Sequence, residues 1–141
     1  MTKGILVVDD DLDLLFCYKL MLKNENTIVF TSNDVDEAQD IVRGEKIDLV
    51  ILDYMMPKLR GDQLARRIHE INDNIKIIFV SGYAEVVEAV RKLDFKIHGV
   101  FMKPINPELM EKIAQSEDLS CLDQYSHDVH TLNVYSNAQL F

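Results

Sequence analysis

Short apolar runs alternate with amphipathic stretches five times along this chain, and this alternation constrains the fold more than any other feature. Runs of this length are typical of buried strands, whereas the stretches between them repeat apolar residues at helical spacing. Strands that alternate with helices indicate a parallel sheet covered on both faces by helices. The predicted strands are residues 5–8, 27–31, 47–52, 75–80 and 100–102.

The first helix is predicted from Asp11 to about Lys23, with Leu12, Leu15, Tyr18 and Leu22 as its buried stripe and Cys17 as a small core residue. The last helix is predicted to begin at Asn106 and Pro107, a cap residue followed by proline in the first turn. For a chain of this size we expect an α/β fold, a doubly wound five-stranded parallel sheet in the flavodoxin-like order 2-1-3-4-5.

The charge and the apolar segments exclude several classes of protein. A formal net charge of −9 argues against direct nucleic-acid binding and against docking on anionic membranes. The apolar stretch near the N-terminus, residues 5–8, is too short for a signal peptide or a membrane span. Cys17 and Cys121 lie far apart and have no metal-ligand spacing. We therefore expect a cytoplasmic protein without membrane insertion.

Polar side chains fall where the predicted strands end. Asp9 and Asp10 follow the first strand, and Asp53 follows the third. Ser81 follows the fourth strand and Lys103 follows the fifth. In the order 2-1-3-4-5 the first and third strands are neighbours, and the winding reverses between them, which opens a crevice at their carboxyl ends. The sequence thus predicts three carboxylates, a hydroxyl and an amine in one cleft.

This set of residue types suits phosphoryl chemistry with a divalent cation. Three close carboxylates repel one another, and a cation removes that conflict. A site made of oxygen ligands favours Mg²⁺. An aspartate can accept a phosphoryl group as an acyl phosphate, while Mg²⁺ and a lysine neutralise the charge on the phosphoryl oxygens.

Four segments resemble the motifs of response-regulator receiver domains, the phosphoacceptor modules of two-component signalling. They are ILVVDDD (5–11), VILDYMMPKLRG (50–61), FVSG (79–82) and FMKPI (101–105). The most specific is the Asp-x-x-Met-Pro-x-x-x-Gly pattern formed by Asp53, Met56, Pro57 and Gly61. The resemblance covers about residues 3–116, so we expect a receiver domain over 1–116. The remaining 117–141 form an acidic tail that is not an independent domain.

The resemblance implies a role for each matching residue. Asp53 matches the phosphorylated aspartate, and Asp10 and Asp53 match direct ligands of Mg²⁺. Asp9 matches a carboxylate that binds the ion mainly through water, and the backbone carbonyl of Met55 matches a further ligand. Lys103 matches the lysine that pairs with the phosphoryl group.

The switch residues include one departure from the family pattern. Ser81 matches the hydroxyl that moves toward the phosphoryl group, and the Lys103–Pro104 bond matches a peptide bond that is often cis. Family members commonly carry Tyr or Phe three residues before the lysine, where this chain has Val100. Phe101 comes one residue later and should face the opposite side of the sheet. We therefore expect the family's usual aromatic readout of phosphorylation to be absent or rerouted in this chain.

The resemblance also implies partners. A histidine kinase or phosphotransfer protein would supply the phosphoryl group, and a downstream protein target would receive the signal. A homodimer through the helix 4, strand 5 and helix 5 face is a further expectation. The chain would be a stand-alone or excised switch, not an enzyme beyond its own phosphorylation and dephosphorylation.

Two alternatives stay open at this point. A degenerate receiver would bind partners without phosphorylation. Val100, in the place of the usual aromatic residue, supports this alternative. A phosphatase of the haloacid-dehalogenase type would use Asp9 as nucleophile within the motif Asp9-x-Asp11. Leu12 is unusual for that motif, and the Asp53 loop would then have no explanation.

Overall fold

The computed structural model describes residues 2–83, 85–125 and 134–135. Its strands are β1 Lys3–Val8, β2 Thr27–Ser32, β3 Leu49–Asp53, β4 Lys76–Ser81, β5 Val100–Met102 and β6 Val134–Tyr135. Its helices are α1 Leu12–Leu22, α2 Val35–Gly44, α3 Gly61–Ile71, α4 Val86–Arg91 and α5 Pro107–Gln115, followed by a 3₁₀ helix over Ser120–Tyr125. None of the helices described is long and apolar enough to cross a membrane.

The strands form one parallel sheet in the order β2-β1-β3-β4-β5-β6. The predicted order 2-1-3-4-5 is confirmed, and β6 extends the sheet beyond β5. Because β1 pairs with both β2 and β3, the chain reverses its winding between β1 and β3. The carboxyl ends of β1 and β3 therefore flank the crevice in which a doubly wound sheet binds ligands.

Alternate residues of the central strands feed two cores. Along β1, Leu6 and Val8 pack with α2, α3 and α4, whereas Ile5 and Val7 pack with α1 and α5. Both faces of these strands are buried, which explains why their sequences are continuous apolar runs instead of alternating ones.

Short polar side chains begin three helices as their residue types predict. The carboxylates of Asp11 and Asp34 accept hydrogen bonds from backbone amides in the first turns of α1 and α2. Asn106 does the same for α5, and Pro107 occupies its first turn. These caps satisfy amides that would otherwise lack partners.

The prediction for α1 is partly wrong. Leu15, Tyr18 and Leu22 are buried as expected, but Leu12 is 66% exposed. Cys17, predicted to be a core residue, is exposed as well. Apolar residues lie on almost every side of this helix (LDLLFCYKLML), so spacing alone could not select the buried face.

Candidate functional site

Three carboxylates converge at the carboxyl ends of β1 and β3. Oxygens of Asp9, Asp10 and Asp53 lie within 4.8 Å of one another. The register that pairs Val8 with Leu52 places these acids side by side. Asp9 and Asp53 are buried and Asp10 is exposed, so the cluster opens to solvent on one side.

Lys103 provides a positive charge beside the acids. Its ammonium nitrogen lies 3.4 Å from Asp9 Oδ2 and 3.6 Å from Asp53 Oδ2. Lys103 directly follows β5, and its backbone amide donates to the carbonyl of Ser81, the last residue of β4, at 2.8 Å. The peptide bond between Lys103 and Pro104 is cis, as the resemblance implied.

Backbone contacts hold both buried carboxylates in place. Asp9 Oδ1 accepts from the amide of Asp11 at 2.9 Å, and Asp53 Oδ1 accepts from the amide of Met55 at 3.4 Å. Behind them, Gly61 donates to the carbonyl of Tyr54 at 2.7 Å. A Cβ at Gly61 would lie 2.7 Å from Tyr54 Cα, so α3 can begin this close to the acceptor strand only with glycine.

The electrostatics of the cluster favour an additional cation. Burial, followed by the charge of Asp9, raises the pKa of Asp53 to about 6. Burial also raises the pKa of Asp9, although its bond from Asp11 and the nearby Lys103 act in the opposite direction. One ammonium group therefore leaves part of the negative charge of three carboxylates uncompensated.

The donor set fits a hard divalent cation. Asp9 Oδ2 is buried and accepts no hydrogen bond from any residue that the structure describes. The Lys103 ammonium, 3.4 Å away, is its charged neighbour but is shared with Asp53. A buried oxygen without a hydrogen bond costs free energy, which a divalent cation or water bound there would offset. Carboxylate oxygens with one open side suit Mg²⁺, which keeps several of its waters.

The cleft above the acids is lined by Asp10, Asp53, Met55, Gly82, Tyr83 and Lys103. Ser81 is buried beside it, and its hydroxyl accepts from the amide of Tyr83 at 3.0 Å and contacts the Tyr83 carbonyl at 3.4 Å. In this arrangement the hydroxyl of Ser81 makes its hydrogen bonds with the backbone of Tyr83, after the end of β4. It would have to leave those contacts to meet a group on Asp53.

Two large, exposed hydrophobic side chains lie at the rim of the cleft. Met55 is 52% exposed, and Tyr83, which the sequence analysis did not single out, is 61% exposed. The position of Tyr83 two residues after Ser81 is the signal that could have identified it. Of the other predicted site features, the role of the Met55 carbonyl stays a prediction.

Val100 and Phe101 face opposite sides of the sheet, as the strand period predicts. Val100 is fully buried in the core formed with α2, α3 and α4, and Phe101 is buried in the core formed with α1 and α5. An aromatic ring at Phe101 therefore cannot take the place that the family pattern reserves for position 100.

Comparisons with known proteins agree with this geometry. A family model, the response regulator receiver domain, matches residues 5–115. The regulatory protein VanR of Enterococcus faecium is 32% identical over 80% of this chain and 49% of its own length. Sporulation initiation phosphotransferase F of Bacillus subtilis (strain 168) is 30% identical over 75% of this chain and 86% of its own length.

Solved structures show the same similarity. A response regulator receiver domain protein (CheY-like) from Methanospirillum hungatei JF-1 superposes with a TM-score of 0.74 and 31% identity, covering 88% of this chain and 98% of that one. The chain spans about half the length of VanR, and about half or less of most of the curated relatives it matches. The phosphotransferase, of which it covers 86%, is an exception. The chain belongs to the response regulator receiver domain family.

Proposed function

We propose that this receiver domain is a Mg²⁺-dependent phosphorylation switch in which Asp53 accepts the phosphoryl group. The observation that carries the proposal is the cluster of three carboxylates within 4.8 Å, with the Lys103 ammonium 3.6 Å from Asp53. The Bacillus subtilis relative is a phosphotransferase by name, which supports phosphoryl transfer as the shared chemistry.

Asp9, Asp10 and Asp53 would hold Mg²⁺ together with the backbone carbonyl of Met55. When bound, the ion supplies positive charge for the oxygens of the transferring phosphoryl group. The uncompensated charge of the cluster is what supports this assignment.

The transfer itself uses a carboxylate oxygen of Asp53 as nucleophile. As the new P–O bond forms, the P–N bond to the donor histidine breaks, and its electron pair stays on the imidazole. Lys103 is positioned to pair with a phosphoryl oxygen. Ser81 would exchange its contacts with Tyr83 for a hydrogen bond to a second oxygen.

Phosphorylation would change protein–protein contacts through added charge. A phosphoryl group carries about −1.5 to −2 charges. Pairing with Lys103 would bias the position of β5, which ends one residue before this lysine. The surface formed by α4, β5 and α5 would then bind or release a partner, which is a downstream protein or a second copy of the chain.

A histidine kinase or phosphotransfer protein would dock near the cleft, and α1 offers a surface for it. Leu12, Phe16 and Leu20 are each at least 60% exposed on one side of this helix, which begins directly after the acids. Exposed apolar patches of this kind are typical of protein interaction sites. Phe16→Ser should slow transfer from a phosphorylated phosphotransfer protein and leave labelling by acetyl phosphate unchanged. Equal loss with both donors would contradict this docking surface.

The chain would act as a switch and not as an enzyme on other substrates. Its cytoplasmic location stays a prediction.

The test of the proposed switch is Mg²⁺-dependent labelling with acetyl phosphate, read as intact protein mass, on wild type, Asp53→Asn and the control Asp13→Asn. Asp13 is exposed on α1, so its substitution leaves the cluster intact. We expect a single phosphoryl group on wild type and on the control, and none on Asp53→Asn or without Mg²⁺. No labelling of any protein would contradict the proposal and favour a phosphorylation-independent binding module.

A further inference from the structure

Residues 134–135 form β6 along the outer edge of β5, the side that faces away from β4. Val134 pairs with Val100 and Tyr135 pairs with Phe101, both in parallel register. Without β6, this edge of β5 would present unpaired backbone groups, which are a template for another strand.

The tail is anchored before it reaches this edge. The Lys3 ammonium donates to the carbonyl of Ser116, and the side chains of Leu119 and Leu122 are buried against the core formed with α1 and α5. The 3₁₀ helix ends at Tyr125, nine residues before Val134. Nine residues of extended chain reach about 30 Å. Because strand and edge belong to one tethered chain, β6 has a large concentration advantage over a free partner.

The closed edge belongs to the strand that positions the phosphoryl-binding lysine. Phe101 pairs with β6 on one side and with Val80 of β4 on the other, and Lys103 follows two residues later. A new charge on Asp53, next to the Lys103 ammonium, therefore acts on the strand to which β6 is attached. A pairing of only two residues lies at the low-stability end of the fold, where a small shift of β5 can open it.

We propose that β6 is an autoinhibitory strand: it closes the outer edge of β5 in the unphosphorylated protein and leaves when Asp53 is phosphorylated. This inference rests on the proposed function. It adds a second state to the α4, β5 and α5 surface, since the edge at its centre is covered by the chain itself in one state and open in the other.

The test is hydrogen exchange, read by mass spectrometry, on the full chain and on two double variants. Val134→Pro with Tyr135→Pro removes both backbone donors of β6 and obstructs its pairing. Val134→Ile with Tyr135→Phe keeps the strand and serves as the matched control. Without any phosphodonor, we expect amides of residues 100–102 to exchange about tenfold faster or more in the proline variant, and at the wild-type rate in the control.

The second arm follows phosphorylated wild-type protein, with the labelled fraction measured by intact mass. We expect exchange at residues 134–135 to rise by about tenfold or more in the labelled protein. Labelled protein with unchanged exchange at β6 would overturn the autoinhibitory strand and leave the phosphorylation switch intact. Unchanged exchange at β5 in the proline variant would also overturn it. A failure to label would overturn both proposals.

Discussion

The strands of the sheet have their amino ends on one side and their carboxyl ends on the other, called here the amino edge and the carboxyl edge. Both edges bury ionisable side chains, but the buried charges are compensated differently. At the amino edge, burial lowers the pKa of Lys3, and its ammonium donates to the carbonyl of Ser116. At the carboxyl edge, the Lys103 ammonium lies within 3.6 Å of both Asp9 and Asp53, and Asp10 adds a third carboxylate to the cluster. The buried cation at the amino edge has its partner within the fold, whereas the carboxyl edge keeps an excess of negative charge that an ion and a phosphoryl group can use.

This difference predicts that the amino edge determines stability and the carboxyl edge determines chemistry. Substitutions at the first edge should change unfolding without changing phosphorylation of the folded protein. Substitutions at the second should abolish phosphorylation while leaving the fold intact or more stable.

The largest effect on stability is expected at Leu122, in the 3₁₀ helix that follows the contact between Lys3 and Ser116. Leu122→Ala removes a fully buried side chain and should lower the free energy of unfolding by about 2–5 kcal/mol, measured by urea denaturation. Cys121→Ser, at the neighbouring half-buried position, is the control and should cost less. The folded fraction of Leu122→Ala should still be labelled by acetyl phosphate, and loss of labelling would mean that the two edges are coupled.

A smaller effect with the opposite sign is expected at Asp53. The pKa of Asp53 is raised to about 6 in the folded protein, above its ordinary value of 3.8, so the folded state binds the proton more tightly. In a metal chelator, the stability contribution of this group therefore falls as the pH rises from about 4 to about 6. Asp53→Asn removes the cost and should stabilise the metal-free protein at pH 7 by about 2–3 kcal/mol. A destabilised Asp53→Asn would contradict the account of uncompensated charge.

Mg²⁺ should stabilise the wild-type protein by relieving the same repulsion. At a concentration of ten times its Kd, the ion should raise the free energy of unfolding by about 1.4 kcal/mol. Asp10→Asn should lose this gain, whereas Lys3→Met, at the opposite edge, should keep it. Equal stabilisation of Asp10→Asn and wild type, measured by thermal denaturation, would place the ion elsewhere.

The smallest effect concerns the lifetime of the acyl phosphate. Met55 is exposed at the rim of the cleft beside Asp53, where an apolar side chain limits the access of water. Met55→Asn should speed the loss of the phosphoryl group by about two- to tenfold, a barrier change of about 0.4–1.4 kcal/mol. Leu20→Asn, the same kind of change on exposed α1, should not alter the decay. An unchanged decay rate in Met55→Asn would remove the shielding role.

The sequence was sufficient for the sheet order and for predicting which side chains of the candidate site lie together, because both follow from local rules. Strand periodicity located the ends of β1, β3, β4 and β5 to within one residue, and the topology then brought Asp9, Asp53, Ser81 and Lys103 to one edge. The same period placed Val100 and Phe101 on opposite faces, which the two cores confirm.

Features set by tertiary context could not be predicted in this way. The exposed side of α1 depends on which neighbours cover it, and an all-round apolar sequence does not encode that choice. Tyr83 reaches the cleft through the turn after β4, which has no periodic signal. The place of β6 beside β5 depends on a long-range pairing of two residues, which no local pattern in the sequence encodes.

The most direct test of the central claim is to identify the residue that carries the phosphoryl group. Protein labelled with acetyl phosphate and Mg²⁺ is treated with borohydride, which reduces an aspartyl phosphate to homoserine, and the peptides are sequenced by mass spectrometry. The account predicts homoserine at position 53 and unchanged aspartate at positions 9 and 10. Homoserine at position 9 would contradict it and favour the alternative in which Asp9 is the nucleophile of a phosphatase.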